Sequence, residues 1–200
     1  MIEQLSHRYV QVSAYQNAKS GKLYWGDSYY INATNEYFIC VVADGLGSGE
    51  FAYESSRAVV DIAKKFQQND VAVIMEECNK GLRMKRGAAV SVLKVDYVNQ
   101  QVEYSCIGNI RFVLFPPSSD KLIYPLPVKG YMGGKPLKVK TQTYEYEANT
   151  KFFIYSDGVS IPSVKNYLKG MLPPSSLMEV AKHHSSEGQD DITIISGELL

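Results

Sequence analysis

The chain has 200 residues, which is enough for one domain with a substantial core and too few for two ordinary domains. Its 21 basic and 21 acidic residues cancel, so no bulk charge attracts nucleic acid or an anionic membrane. Hydrophobic residues make up 45% and charged residues 21%, a balance that excludes a disordered protein. We therefore expect a single domain over residues 1–200 that binds neither nucleic acid nor membrane.

The cysteines and the N-terminal residues indicate in which cellular compartment the protein resides. Cys40, Cys78 and Cys106 lie far apart in apolar runs, a pattern that favours reduced thiols in a core. The N-terminal residues lack a cationic flank followed by an apolar stretch, and no run approaches the roughly 18 to 20 apolar residues of a membrane span. Both features predict a cytoplasmic protein.

The first half of the chain predicts one buried strand followed by two helices. Residues 37–43 are continuously apolar, β-branched and aromatic, and they lead into the glycine-rich segment DGLGSG. Residues 50–66 keep their apolar side chains on one helical face. Asn69 or Asp70 can cap the second helix, whose apolar stripe is Val71, Ile74, Met75, Cys78 and Leu82.

The second half reads mainly as strands. Residues 88–98, 102–108 and 111–115 are joined by short polar turns, which predicts a three-stranded antiparallel meander. A stretch rich in proline and glycine follows, and residues 151–155 and 192–196 predict two further strands. Mixed strands and a few helices follow from these patterns.

Four aspartates lie beside predicted strands, at positions 27, 44, 157 and 190. Turn chemistry is the simpler interpretation, because Asp-Gly is a favourable turn pair. However, Asp44 and Asp157 end intensely apolar strands, where a carboxylate is costly unless a cation or a donor meets it. Carboxylates with a backbone carbonyl suit Mg²⁺ or Mn²⁺ rather than Zn²⁺. Converging aspartates therefore predict a site for a hard cation.

Six motifs in chain order resemble those of the PPM metal-dependent Ser/Thr protein phosphatases. They are Gly26-Asp27, Ala43-Asp44-Gly45, Arg86-Gly87-Ala88-Ala89, Cys106-Ile107-Gly108-Asn109-Ile110-Arg111, Ser156-Asp157-Gly158 and Asp190-Asp191-Ile192-Thr193. The match spans nearly the whole chain, and the segments ADGLGSG and KRGA are similar to the compact bacterial branch of the family. The resemblance implies an α+β fold, a PPM-type sandwich of two antiparallel β-sheets flanked by α-helices, with metals at one end between the sheets.

The resemblance also implies the ligands of two Mn²⁺ or Mg²⁺ ions. Asp44 would bridge the ions, and the carbonyl of Gly45 would bind one of them. Asp157 and Asp190 would complete the shell of the other ion and, with Asp44, form the catalytic set. Asp27 matches the acidic N-terminal motif, although its neighbour Gly26 stands where many relatives have a glutamate.

Three further residues follow from the same resemblance. Asp191 would support Asp190 without binding metal itself. Asn109 replaces an aspartate that helps to hold a third metal in some relatives, so we expect two ions. Lys22 falls near the position of a phosphate-binding arginine of the family.

The activity implied is metal-dependent hydrolysis of phosphoserine or phosphothreonine on a protein. Two cations about 3.5 to 4 Å apart lower the pKa of a shared water and offset charge on the phosphoryl oxygens. The compact bacterial branch implies a phosphorylated scaffold or antagonist protein of the stressosome type as substrate. The enzyme would then exert negative feedback on the sigma-B general stress response.

Two other functions stay open on the sequence. The strand, the glycines at 47 and 49 and the following helix fit the G-x-G-x-x-A pattern of a dinucleotide-binding turn. A catalytically silent module of the same fold could instead dock on a phosphorylated partner. A cysteine phosphatase is disfavoured, because Cys78 and Cys106 lie on apolar stripes and have an arginine at the wrong spacing.

Overall fold

The computed structural model describes residues 2–17, 24–119, 121–159, 164–169, 174–176, 179 and 190–200. In chain order the elements are β1 (Ile2–His7), β2 (Val10–Asn17), β3 (Asp27–Ala33), β4 (Tyr37–Gly45), α1 (Glu50–Phe66), α2 (Val71–Gly81), β5 (Ala88–Asp96), β6 (Gln101–Ile107), β7 (Arg111–Phe115), β8 (Gln142–Glu145), β9 (Thr150–Tyr155), α3 (Val164–Lys169) and β10 (Ile192–Leu199). None of the helices in these ranges is long and apolar enough to cross a membrane.

The described strands form two antiparallel five-stranded sheets, one in each of two compact units. The first unit comprises residues 1–20, 111–125 and 145–200, and its sheet has the order β1-β2-β10-β9-β7. The second unit comprises residues 21–110 and 126–144. Its sheet has the order β3-β4-β5-β6-β8 and carries α1 and α2. The predicted combination of antiparallel sheets and helices is confirmed.

The second unit is built around β4, which is paired with β3 on one side and β5 on the other. Alternate residues of β4, including Ile39, Val41 and Ala43, belong to one core cluster with buried residues of α1 and α2. The predicted stripe of the second helix is fully buried, from Val71 to Leu82. Asp70 is the N-cap residue of this helix, as one of the two predictions had it, but its side chain makes no capping hydrogen bond.

The predicted three-stranded meander is wrong at its third strand. β5 and β6 pair as expected, but β7 pairs with β9 in the other sheet. The chain leaves the sheet at Gly108, whose φ of 127° is open to glycine and strained for other residues. A short Gly-Asn connection therefore separates two sheets here instead of closing a hairpin.

Candidate metal centre

Asp27 and Asp44 lie directly opposite each other in the paired strands β3 and β4. Opposed residues of an antiparallel pair share one face of the sheet, with Cβ atoms about 4.5 to 5.5 Å apart. Asp27 is only 3% exposed, and Asp44 is half-buried. Like charges in this arrangement destabilise a strand pair, and a divalent cation between them removes the cost. We call these two residues the strand aspartates, and their oxygen donors fit a hard cation.

Gly45 holds helix α1 close to the end of β4. A Cβ atom at this position would lie 2.0 Å from the carbonyl oxygen of Ala52, so a side chain would displace the helix. The backbone is fixed from both neighbouring strands, because the Gly45 N–H donates to the carbonyl of Gly26 at 3.1 Å and Gly45 is paired with Ala88 in β5. The glycine that follows Asp44 is therefore required by packing.

Helix α1 is tied to β3 beside the strand aspartates. The hydroxyl oxygens of Ser28 and Ser56 are 2.9 Å apart, and both residues are buried. Since neighbouring residues of a strand point to opposite faces, Ser28 faces the helix while Asp27 faces the other side. The helix supports the strand from behind and leaves the carboxylate face to Asp27 and Asp44.

Asp157 and Asp190 belong to the first unit and lie just outside β9 and β10; we call them the loop aspartates. Ser156 joins the two chain segments, since its N–H donates to the Thr193 carbonyl and its Oγ accepts from the Thr193 N–H, both at 3.0 Å. A Cβ atom on Gly158 would lie 2.6 Å from the Asp191 carbonyl oxygen. The two loops are therefore in direct contact.

The other predicted residues have different surroundings. Asp191 is half-buried and donates its N–H to the Asp190 carboxylate at 2.9 Å. Asn109 is exposed and follows Gly108, which packs against Ala89, the residue paired with Asp44. Lys22 lies outside the described residues.

Within the described ranges, no group of three or more histidine, cysteine, aspartate or glutamate side chains forms a metal site by proximity alone. Each unit instead contains two neighbouring acidic residues, Asp27 with Asp44 in the second unit and Asp157 with Asp190 in the first. The assignment of these residues as metal ligands therefore stays a prediction, which the chemistry of the donor set supports.

The thiols and the glycine-rich turn do not supply an alternative site. Burial raises the pKa of Cys78 to about 12 and that of Cys106 to about 11, and burial also raises the pKa of Cys40, so these thiols are protonated at neutral pH. The strands before and after the turn, β4 and β5, pair antiparallel. A dinucleotide-binding turn belongs to a parallel βαβ unit, so this interpretation is not favoured.

Sequence reasoning missed Asn79, the residue of helix α2 that is hydrogen-bonded to the segment 126–144. The amide of Asn79 donates to the Lys135 carbonyl at 2.8 Å and accepts from the N–H groups of Gly133 and Gly134 at 3.2 and 3.1 Å. A polar residue next to the apolar stripe of a helix is the signal that could have identified it.

Comparison with known proteins identifies the family to which the chain belongs. The family model for stage II sporulation protein E (SpoIIE) matches residues 34–198. The chain therefore belongs to the SpoIIE family of PP2C-type, metal-dependent Ser/Thr protein phosphatases.

Within this class, the chain is similar to phosphoserine phosphatase RsbX of Bacillus subtilis, with 40% identity over 199 residues and full coverage of both chains. The crystal structure of RsbX in complex with magnesium matches with a TM-score of 0.95 and also covers 100% of both chains. The chain is a homologue of that enzyme.

More distant structures share the fold. A structure from work on the bacterial stressosome has 22% identity and a TM-score of 0.84, covering 94% of this chain and 98% of its own. The catalytic domain of the serine/threonine phosphatase PstP in complex with two manganese ions has 15% identity and a TM-score of 0.73, covering 96% and 99%.

Proposed function

We propose that this phosphatase removes phosphate from phosphoserine or phosphothreonine on a scaffold or antagonist protein of a stress-signalling module. Its action would provide negative feedback on a sigma-B general stress response. The opposition of Asp27 and Asp44 carries the proposal, because a buried and a half-buried carboxylate that face each other at the end of a strand pair fit a divalent cation. The name of RsbX supports phosphoserine as the substrate group, and the stressosome neighbour supports a signalling partner.

The proposed metal ligands are the strand aspartates, the loop aspartates and the carbonyl of Gly45, for two Mn²⁺ or Mg²⁺ ions. The magnesium bound to RsbX and the two manganese ions bound to PstP support this choice. When bound, such ions activate a water molecule as nucleophile and neutralise charge on the phosphoryl oxygens. The single domain over residues 1–200 is part of the same proposal.

The protein fold fixes the carboxylate oxygens before the substrate binds. The β3–β4 register fixes Asp27 against Asp44, and the hydrogen bonds between Ser156 and Thr193 fix the loops that carry Asp157 and Asp190. Donors that are fixed before substrate binds need little reorganisation during the reaction. Asp191 holds Asp190 through its backbone N–H.

Replacing Asp44 tests this function. The Asp44→Asn variant should release phosphate from a phosphoserine protein more than about 100-fold more slowly at saturating Mn²⁺, because metal-held charge contributes several kcal/mol to the transition state. Asp61→Asn is the matched control, since Asp61 is an exposed residue of α1 that pairs with Arg57 at 3.4 Å. Unchanged turnover of Asp44→Asn would refute the mechanism.

The same assay on the wild-type protein distinguishes an active phosphatase from a catalytically silent docking module. A module of this kind would bind the phosphorylated partner and release no phosphate at any Mn²⁺ concentration. Metal-dependent release from the wild type, absent when the metal is chelated, excludes it.

A further inference from the structure

The loop of residues 82–87 joins α2 to β5 in the second unit. The next residue, Ala88, begins β5 and is paired with Gly45, so the loop lies at the same end of the sheet as the strand aspartates. Arg83, Met84 and Arg86 are all exposed on it.

Met84 has two costly features that contribute nothing to the core. Its side chain is 98% exposed, and its φ of 72° lies in the left-handed region. This conformation is adopted mainly by glycine and occasionally by asparagine or aspartate, because the Cβ atom of other residues is crowded in it. Backbone strain that places a large apolar side chain in water points to a role outside folding.

Two exposed aromatic residues adjoin this loop. The guanidinium carbon of Arg86 lies 5.7 Å from the centre of the Phe51 ring, and Phe51 is 63% exposed. A Cβ atom on Gly87 would lie 2.9 Å from a ring carbon of Tyr131, which is 55% exposed. We call this set the rim surface; it comprises Phe51, Arg83, Met84, Arg86 and Tyr131.

The rim surface is positively charged, and its two arginines can interact with a binding partner. Lys85 is paired with Glu54 at 3.7 Å. The ion pairs found among the described residues include neither Arg83 nor Arg86. Two arginines beside exposed aromatic rings complement an acidic segment that also carries an apolar side chain.

The segment that carries Tyr131 is fixed in place. Met132 exchanges two backbone hydrogen bonds of 2.9 Å with Ala88, and Gly133 and Gly134 donate to the buried Asn79. A surface that is ordered before binding loses little conformational entropy on binding.

We infer that the rim surface docks the phosphorylated substrate protein, through an acidic stretch with a large apolar residue next to the phosphoserine. This inference rests on the proposed phosphatase function. Arginine, methionine and aromatic residues are the types enriched at the centres of protein interfaces. The continuity of the loop with Ala88, and through it with Gly45, places the docked segment near the strand aspartates.

Two phosphoserine peptides test the inference with Mn²⁺ present. One peptide has aspartate, glutamate and leucine around the phosphoserine, and the other has serine and glycine at the same positions. The wild type should show about tenfold higher kcat/KM for the acidic peptide, the effect of one well-placed interface residue. The ratio between peptides on one variant cancels any change in its basal turnover.

The Arg83→Ala/Arg86→Ala double variant should bring this ratio close to one, and Arg57→Ala should keep it at the wild-type value. Met84→Gly relieves the backbone strain, so its thermal unfolding midpoint should not fall, yet its ratio should drop several-fold. Equal kcat/KM for the two peptides, or a ratio that the double variant retains, would overturn the docking inference alone. Hydrolysis of neither peptide by the wild type would overturn the proposed function with it.

Discussion

The strand aspartates and the loop aspartates are positioned by different means. Asp27 and Asp44 are residues of β3 and β4, and the backbone register sets them opposite each other. Asp157 and Asp190 lie outside β9 and β10, and both are exposed. Their loops depend on Ser156, which is bonded to Thr193, and on the close packing of Gly158. The strand aspartates and the loop aspartates should therefore respond differently to substitution of the residues that support them.

The largest effect should come from Gly45→Ala. The new Cβ atom would meet the Ala52 carbonyl at 2.0 Å, so α1 must move and the protein should lose about 3 kcal/mol of stability. Urea unfolding measures this loss. Gly133→Ala is the matched control, since its Cβ would meet only the Tyr131 side chain, at 3.3 Å. If Gly45→Ala unfolds no more easily than the control, the close packing of α1 does not require a glycine after Asp44.

An intermediate effect is expected for Ser156→Ala. The substitution removes the acceptor of the Thr193 N–H and loosens the loops that hold Asp157 and Asp190. Groups that support metal ligands typically affect metal affinity 10- to 100-fold, so we expect about a tenfold higher Mn²⁺ concentration for half-maximal activity. Turnover at saturating Mn²⁺ should recover. An unchanged Mn²⁺ requirement would show that the loop aspartates do not depend on this hydroxyl.

The smallest effect is expected for Ser28→Ala, which removes the bond to Ser56 beside Asp27. A buried hydrogen bond contributes about 1 kcal/mol, so stability should fall by this amount. The Mn²⁺ requirement should stay at the wild-type value, because the register of β3 and β4 still positions Asp27. A shift in metal affinity as large as that of Ser156→Ala would remove the distinction between the two pairs.

Much of the fold could be predicted because several elements have strong local patterns. The buried strand β4 and the apolar faces of α1 and α2 were all identified from periodicity. The sheet assignment of β7 could not be identified in this way. The Gly-Asn turn before it looks like a hairpin turn, and the partner that decides its sheet, β9, comes about 40 residues later in the chain.

For the candidate site, the sequence suggested candidate residues but not their arrangement. It placed Asp27 and Asp44 beside strands, whereas their opposition depends on the turn between β3 and β4. Thr34 sets this turn, because its Oγ accepts the N–H groups of Glu36 and Tyr37 at 3.1 and 3.0 Å. The exposure of Met84 also follows from tertiary structure, since a methionine after a helix usually packs inward.

Diffraction from crystals soaked in Mn²⁺, measured at the manganese absorption edge, tests the central proposal most directly. The proposal predicts two anomalous peaks about 3.5 to 4 Å apart, with Asp44 contacting both and with Asp157 and Asp190 contacting one. Peaks that lack Asp44, or a single peak held by one pair of aspartates alone, would contradict the two-metal centre.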